Sequence, residues 1–326
     1  MRKAIIAEGS MRRLRRALPL LFFSLSLLIV AQRATAQSAA ESESANFSAD
    51  VSLVVLHATV RNRSGSFVSG LRQENFQVLE DGQPQTIRLF QHEDVPVAVG
   101  LVVDNSGSMR SKRKDVTAAA LAFVRSSNPH DQMFVVNFNE HVMFGLPNTA
   151  LFSASPAELE AALNGVPAAG KTALYDAILA GLDHLKKATL DKKVLIVVSD
   201  GGDNASHHTL PHVLEAAGRS DAIIYTIGLF DPYDEDSNPG VLKKIARATG
   251  GEAFFPKETS EVVEICERIA TDIRNQYTIG YIPSNRKFDN AYRTIRLVAT
   301  GSHGQKYLVR TREGYLAAPD RQSTAR

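Results

Sequence analysis

The 326-residue chain holds one cysteine, Cys266, which excludes a disulfide within it. That residue sits in an amphipathic pattern over 261–274 and reads as a small buried hydrophobe. The apolar run from Ala17 to Val30 falls short of the ~18–20 residues that a membrane-spanning helix needs. A positive excess is missing as well. The whole chain has 37 Lys/Arg against 35 Asp/Glu, but residues 1–36 contain seven of the basic and one of the acidic residues, so residues 37–326 carry a net charge of −4. That balance speaks against nucleic-acid binding. What is present, 44% apolar and 22% charged residues, suffices for a globular core.

Residues 1–36 read as a secretory signal peptide. Arg12, Arg13, Arg15 and Arg16 precede the apolar run, and Ala34-Thr35-Ala36 supplies an A-x-A cleavage pattern with the cut after Ala36. No cysteine lies near the cut, which excludes lipid attachment there. The remainder is then exported to the periplasm, the cell surface or the medium, with no transmembrane segment after cleavage. The alternative is an uncleaved anchor. Residues 37–46 are small and polar and read as a flexible spacer.

Residues 47–94 form an N-terminal β segment. Residues 51–60 carry apolar content on both alternating faces, and strands over 76–79 and 85–91 flank the hairpin signal Glu80-Asp81-Gly82. From Pro96 the pattern changes. Strands over 97–103, 132–137, 142–145, 193–199, 222–229 and 252–255 alternate with helical stretches, which predicts a doubly wound, mainly parallel α/β sheet over 95–275. Alternation returns at 277–281, 292–299 and 305–312, giving a C-terminal β segment over 276–316, followed by a disordered tail over 317–326. Neither terminal segment has strands enough for a core of its own. The expectation is one small all-β sandwich built from both flanks, with the α/β unit inserted between them. Two separate hairpin extensions are the alternative.

The chemistry concentrates where the first α/β strand ends. Asp104-Asn105-Ser106-Gly107-Ser108 puts one carboxylate and two hydroxyls on a short loop, an oxygen-rich set suited to a hard divalent cation. The same residues also fit a polar turn in which Ser106 and Ser108 cap the next helix. Ligands of doubly wound sheets sit outside the carboxyl ends of the strands. Asp200 ends the strand over 193–199, and Thr172 opens a helix after Gly170, so three loops distant in sequence converge on one rim.

Asp104-x-Ser106-x-Ser108, Thr172 and Asp200-Gly201 resemble the metal-ion-dependent adhesion site (MIDAS) of von Willebrand factor type A (VWFA) domains, and the resemblance covers about Val95 to Asn275. The flanks are also similar to an exported bacterial "VWFA-related" family described from Acidobacteria. There a segment like Phe76-Gln77-Val78-Leu79-Glu80-Asp81-Gly82 precedes the domain, and one like Arg312-Glu313-Gly314-Tyr315 closes it. The resemblance implies Mg²⁺, or Mn²⁺ or Ca²⁺, held directly by Ser106 and Ser108. Thr172 would bind directly or through water, and Asp104 and Asp200 largely through water. It also implies a non-enzymatic, adhesion-type module whose protein partner presents an Asp or Glu to the ion. Movement of the last α/β helix, over 261–274, on binding is a further implication.

Asn105, Asp203 and Asn204 flank the set and form a candidate ligand rim, though a plain polar loop fits Asp203 and Asn204 equally. Without metal, Asp104 and Asp200 should repel and raise the pKa of one of them. Adjacent His207 and His208 resemble a metal pair but seldom converge on one ion. Asp231, Asp234, Glu235 and Asp236 form an acidic loop that reads as a solvated face rather than a second Ca²⁺ site. Glycosylation acceptor patterns at Asn46, Asn62 and Asn204 are too short to carry weight. A metal-dependent hydrolase using the same site, or a scaffold with a purely stabilising metal, are the alternative functions. Ser106 lies outside any G-x-S-x-G, and position 106 lacks the second carboxylate of an aspartyl phosphatase.

Overall fold

Runs of Val, Ile and Leu decide the centre of the fold, because strands covered on both faces must be apolar throughout. The computed structural model describes residues 53–92, 94–230 and 237–317. The expected signal peptide over 1–36 and spacer over 37–46, with Asn46, the acidic residues Asp231, Asp234, Glu235 and Asp236, and the expected tail from residue 318 on lie outside the described residues. In chain order the strands and helices are β1 (Val54–Arg61), β2 (Phe76–Glu80), β3 (Gln83–Gln85), β4 (Ile87–Gln91), β5 (Ala98–Asp104), α1 (Arg113–Ser126), β6 (Gln132–Phe138), β7 (Val142–Phe144), α2 (Pro156–Asn164) and α3 (Leu174–Leu185). There follow β8 (Lys193–Ser199), α4 (Leu210–Arg219), β9 (Ile223–Gly228), α5 (Pro239–Ala248), β10 (Ala253–Phe254), α6 (Val262–Arg274), β11 (Tyr277–Tyr281), β12 (Tyr292–Ala299), β13 (Leu308–Arg310) and β14 (Gly314–Leu316).

The six-stranded sheet has the order β10-β9-β8-β5-β6-β7 and is parallel except for β7 at its edge. All seven residues of β5 are buried, and β8 is buried from its second residue on. Helix α1 packs against α2 and α6, while α3 lies on β5, β6 and β8 with α4 beside it, and α5 packs on α4 and β9. From β5 the chain winds to β6 and β7 on one side; from β8 it winds to β9 and β10 on the other. The order therefore reverses between β5 and β8, which opens a crevice at their carboxyl ends.

Each of two antiparallel four-stranded sheets mixes strands from before and after this unit, in the orders β13-β1-β11-β4 and β14-β12-β2-β3. Leu56, Val60, Phe76, Val78, Tyr277, Ile279, Leu297 and Ala299 fill the layer that the two sheets share. The expected returning strand over 85–91 is split. β3 pairs with β2 through Pro84, which has no N–H to extend the ladder, and after Thr86 the chain crosses to β11 in the other sheet as β4. The expected strand over 305–312 ends early as β13. Arg312 then turns inward, its guanidinium donating to the carbonyls of Gly218, Ser220 and Gly314, and the chain resumes as β14 beside β12.

Two buried polar clusters tie these parts together. In the sandwich, Glu80 accepts hydrogen bonds from the hydroxyls of Tyr281 (2.7 Å) and Tyr315 (3.0 Å), with Arg293 3.5 Å away. The two flank motifs, 230 residues apart, thus form one contact. Where α6 meets the sandwich, Asp272 accepts from Thr59 Oγ1 (2.9 Å), Tyr225 OH (2.6 Å) and Arg310, with Arg61 at 3.6 Å. Among the described residues no helix is long and apolar enough to cross a membrane.

Candidate metal centre

The crevice between β5 and β8 is floored by carboxylates because each strand ends on an aspartate region. Asp104, buried at the end of β5, accepts from Ser106 N (2.8 Å) on one oxygen and from Ser199 Oγ (2.6 Å) on the other. Asp200 follows β8 and accepts from Ser108 Oγ (2.5 Å) and from Gly202 N (3.1 Å). The Ser106 and Ser108 hydroxyls are 3.1 Å apart. The Ser108 proton goes to Asp200, while the Ser106 hydroxyl lies within reach of both Ser108 and Asp104. Ser106, Ser108 and Asp200 therefore form a continuous chain of oxygens.

Thr172 is brought to the same edge by its backbone. Its N–H donates to Asn204 Oδ1 (2.9 Å), and its carbonyl accepts from Asn204 N and Ala205 N, both at 3.0 Å. The first loop joins it through Gly107 N to Gly170 O (3.1 Å) and through the Asn105 carbonyl, which accepts from Ala169 N (2.9 Å). Two glycines make this approach possible. Gly170 has φ +85°, and a Cβ there would lie 1.7 Å from the Glu140 carboxylate. Gly201 has φ +81°, and its Cβ would fall 2.4 Å from the Asn238 carbonyl.

The expected rim residues are placed differently from one another. Asn105 is only 1% exposed and does not face a rim. Its amide donates to Val103 O and Asn137 Oδ1 and its oxygen accepts from Arg113, because an amide can satisfy the strand end internally where a carboxylate could not. Asp203 accepts from Tyr175 N (2.9 Å) and Ser206 Oγ (2.6 Å), capping the start of α3. Asn204 is exposed and buckles the Thr172 loop. Asn137, Ser199 and Asp176 are site-supporting residues that the sequence did not single out; Ser199, next to Asp200, had the clearest available signal. His207 and His208 do not converge on an ion. Their Nδ1 atoms lie 3.0 and 2.7 Å from separate oxygens of Asp176, whose carboxyl is held well below the usual range by the four hydrogen bonds that it takes from the two residues against the opposing effect of burial.

Burial pushes the Asp104 carboxyl up to about 6; its hydrogen bonds from Ser106 and Ser199 oppose this, and the nearby Asp200 charge adds to it. The expected repulsion between the two aspartates is therefore present but secondary to desolvation.

The donors suit a hard cation. They are all oxygen, and adjacent oxygens of an octahedral shell with Mg²⁺ distances near 2.1 Å lie about 3 Å apart, as the Ser106–Ser108 pair does. Among the described residues no three His, Cys, Asp or Glu side chains gather as a metal cluster, and this set contains only two carboxylates.

Residues 99–202 match the family model of the von Willebrand factor type A domain. No curated protein matches the chain in sequence. Among solved structures, a von Willebrand factor type A protein from Catenulispora acidiphila is 15% identical, with a TM-score of 0.46 over 77% of this chain and 75% of that one. The conserved hypothetical protein BatB from Bacteroides thetaiotaomicron is 15% identical, with a TM-score of 0.44 over 54% of this chain and 98% of that one. Proximal thread matrix protein 1 from the mussel byssus, with a zinc-occupied MIDAS motif, is 16% identical, with a TM-score of 0.46 over 56% of this chain and 49% of that one. The family match runs from β5 to the loop after β8 and contains Asp104, Ser106, Ser108, Thr172 and Asp200. What the comparisons give is thus a segment, residues 99–202, that is similar to the von Willebrand factor type A domain.

Proposed function

We propose that this is an exported, non-catalytic protein-interaction module. A divalent cation, Mg²⁺ first and Mn²⁺ or Ca²⁺ next, is held at the crevice by Ser106, Ser108 and Thr172, with Asp104 and Asp200 behind them. When bound, the cation supplies an electrophilic position that accepts an Asp or Glu carboxylate of a partner protein. The observation that carries the reading is the contiguous Ser106–Ser108–Asp200 oxygen chain at the strand-order reversal. Export rests on the signal pattern over 1–36. The sandwich over 47–94 and 276–316 would present the inserted 95–275 unit.

The test is calorimetric titration of metal-stripped protein with Mg²⁺, Mn²⁺ and Ca²⁺ beside Asp104→Ala, followed by partner capture with and without EDTA. One metal site lost in the variant, with capture that disappears in EDTA, is expected. Capture indifferent to EDTA would overturn the reading.

A further inference from the structure

Cations crowd the face of the candidate metal centre, where the fold disfavours them. Arg110-Ser111-Lys112-Arg113-Lys114 places four basic residues in five positions, directly after Ser108 and into the first turn of α1. A helix N-terminus carries the positive end of the backbone dipole, so cations there act against a local preference. Two of the four have internal roles. Lys112, 8% exposed, donates from Nζ to Leu229 O at 2.8 Å, and Arg113 donates to Asn105 Oδ1 and Leu163 O.

Arg110, in the turn before α1, and Lys114, in its first turn, are both exposed. Arg110 makes one contact, from Nε to Ala168 O at 3.3 Å, which turns it toward the loop that carries Thr172. Lys171, next to Thr172, is exposed on that second loop. Among the described residues none of the three forms a salt bridge, although the Lys171 charge is felt by the exposed Glu140. Two acids of this face are engaged elsewhere, and the third, Glu140, is held on the Lys171 backbone. Glu140 accepts from Lys171 N (2.8 Å), Asp203 caps α3, and Asp115 accepts from the Thr259 hydroxyl.

We propose that this face binds a protein segment carrying several acidic side chains, one at the cation and its neighbours on Arg110, Lys114 and Lys171. The proposal rests on the function proposed above in taking the cation as present. A lone carboxylate would leave three cations unmatched, whereas consecutive acids meet them together, which sets orientation and speeds encounter. Ser106 and Asp200 are each 2% exposed, so the centre lies below the surface that carries Arg110, Lys114 and Lys171. That geometry favours a peptide loop over the broad phosphate array of a nucleic-acid duplex.

The experiment uses the purified protein in Mg²⁺ and fluorescence anisotropy of two labelled peptides, Gly-Glu-Glu-Asp-Glu-Glu-Gly and Gly-Gly-Gly-Asp-Gly-Gly-Gly. The acidic peptide should bind about tenfold tighter or more, with a steeper loss on raising NaCl. The triple variant Arg110→Gln, Lys114→Gln, Lys171→Gln should erase that advantage without weakening calorimetric Mg²⁺ binding. Equal affinity for the two peptides, or an advantage that survives in the triple variant, would overturn the proposal. So would a DNA duplex binding more tightly than the acidic peptide at matched salt. Failure of Mg²⁺ to bind would instead remove the function proposed above, and a peptide advantage in EDTA that the triple variant abolishes would still support the role of the three cations.

Discussion

Asp104 and Asp272 are both buried aspartates, 3% and 1% exposed, at opposite regions of the same chain, and their surroundings are unlike. Asp272, where α6 meets the sandwich, has Arg310 and Arg61 beside it as well as the hydroxyls of Thr59 and Tyr225. Asp104, at the crevice, has only amide and hydroxyl donors, from Ser106 and Ser199, with another carboxylate nearby. Burial without a cation is costly, and proteins keep such a group where something else completes it. One aspartate is satisfied by the fold; the other is the one that the proposed cation would complete.

The largest effect that separates the two is Asp272→Ala. Removing that carboxylate leaves Arg61 and Arg310 with Glu252 alone, 3.5 Å from each, and takes the acceptor from the Thr59 and Tyr225 hydroxyls, so denaturant unfolding should show a loss of about 3 kcal/mol. A loss below about 1 kcal/mol would show that the cluster is wet and weak. Asp104→Asn should do the reverse in chelator. With a buried, cation-free charge removed, the metal-free protein should unfold at the same or a higher denaturant concentration, yet its Mg²⁺ heat should vanish. Clear destabilisation in EDTA would make Asp104 a structural residue like Asp272.

The smallest effect concerns pH. The folded pKa of Asp104 lies above the ordinary carboxylate value, at about 6, so between about pH 4 and 6 the folded state holds more protons than the unfolded one. Stability of the metal-free protein from this group is full below that window and is lost as pH rises through about 6. Thermal midpoints in EDTA should therefore fall across the window in the wild type and stay flatter in Asp104→Asn. Parallel profiles would remove Asp104 as the cause.

The residues legible in sequence were those whose roles are expressed over short spacings. Asp104, Ser106 and Ser108 lie within five positions, and the alternating pattern over 95–275 announces its own sheet. Roles that depend on distant partners were hidden. Nothing around Asn105 shows that its side chain is used up by Asn137 and Arg113, and nothing around Asp203 shows that Tyr175 N awaits it. Asp272 lies inside a helical pattern with no hint of Thr59 or Arg310. The split of 85–91 follows from Pro84 in hindsight, but the sheet that receives β4 is set by β11, nearly 200 residues later.

The strands that begin and end the described fold, β1 and β14, both belong to the sandwich, and the α/β unit leaves and returns between β4 and β11. Tension applied between the chain before β1 and the chain after β14 would be carried first by the antiparallel strands and the Glu80–Tyr315 contact, not by the parallel sheet. The crevice that would hold the ion hangs outside that load path, so a tethered molecule could be pulled along its own backbone while its grip on a partner stays mechanically unloaded.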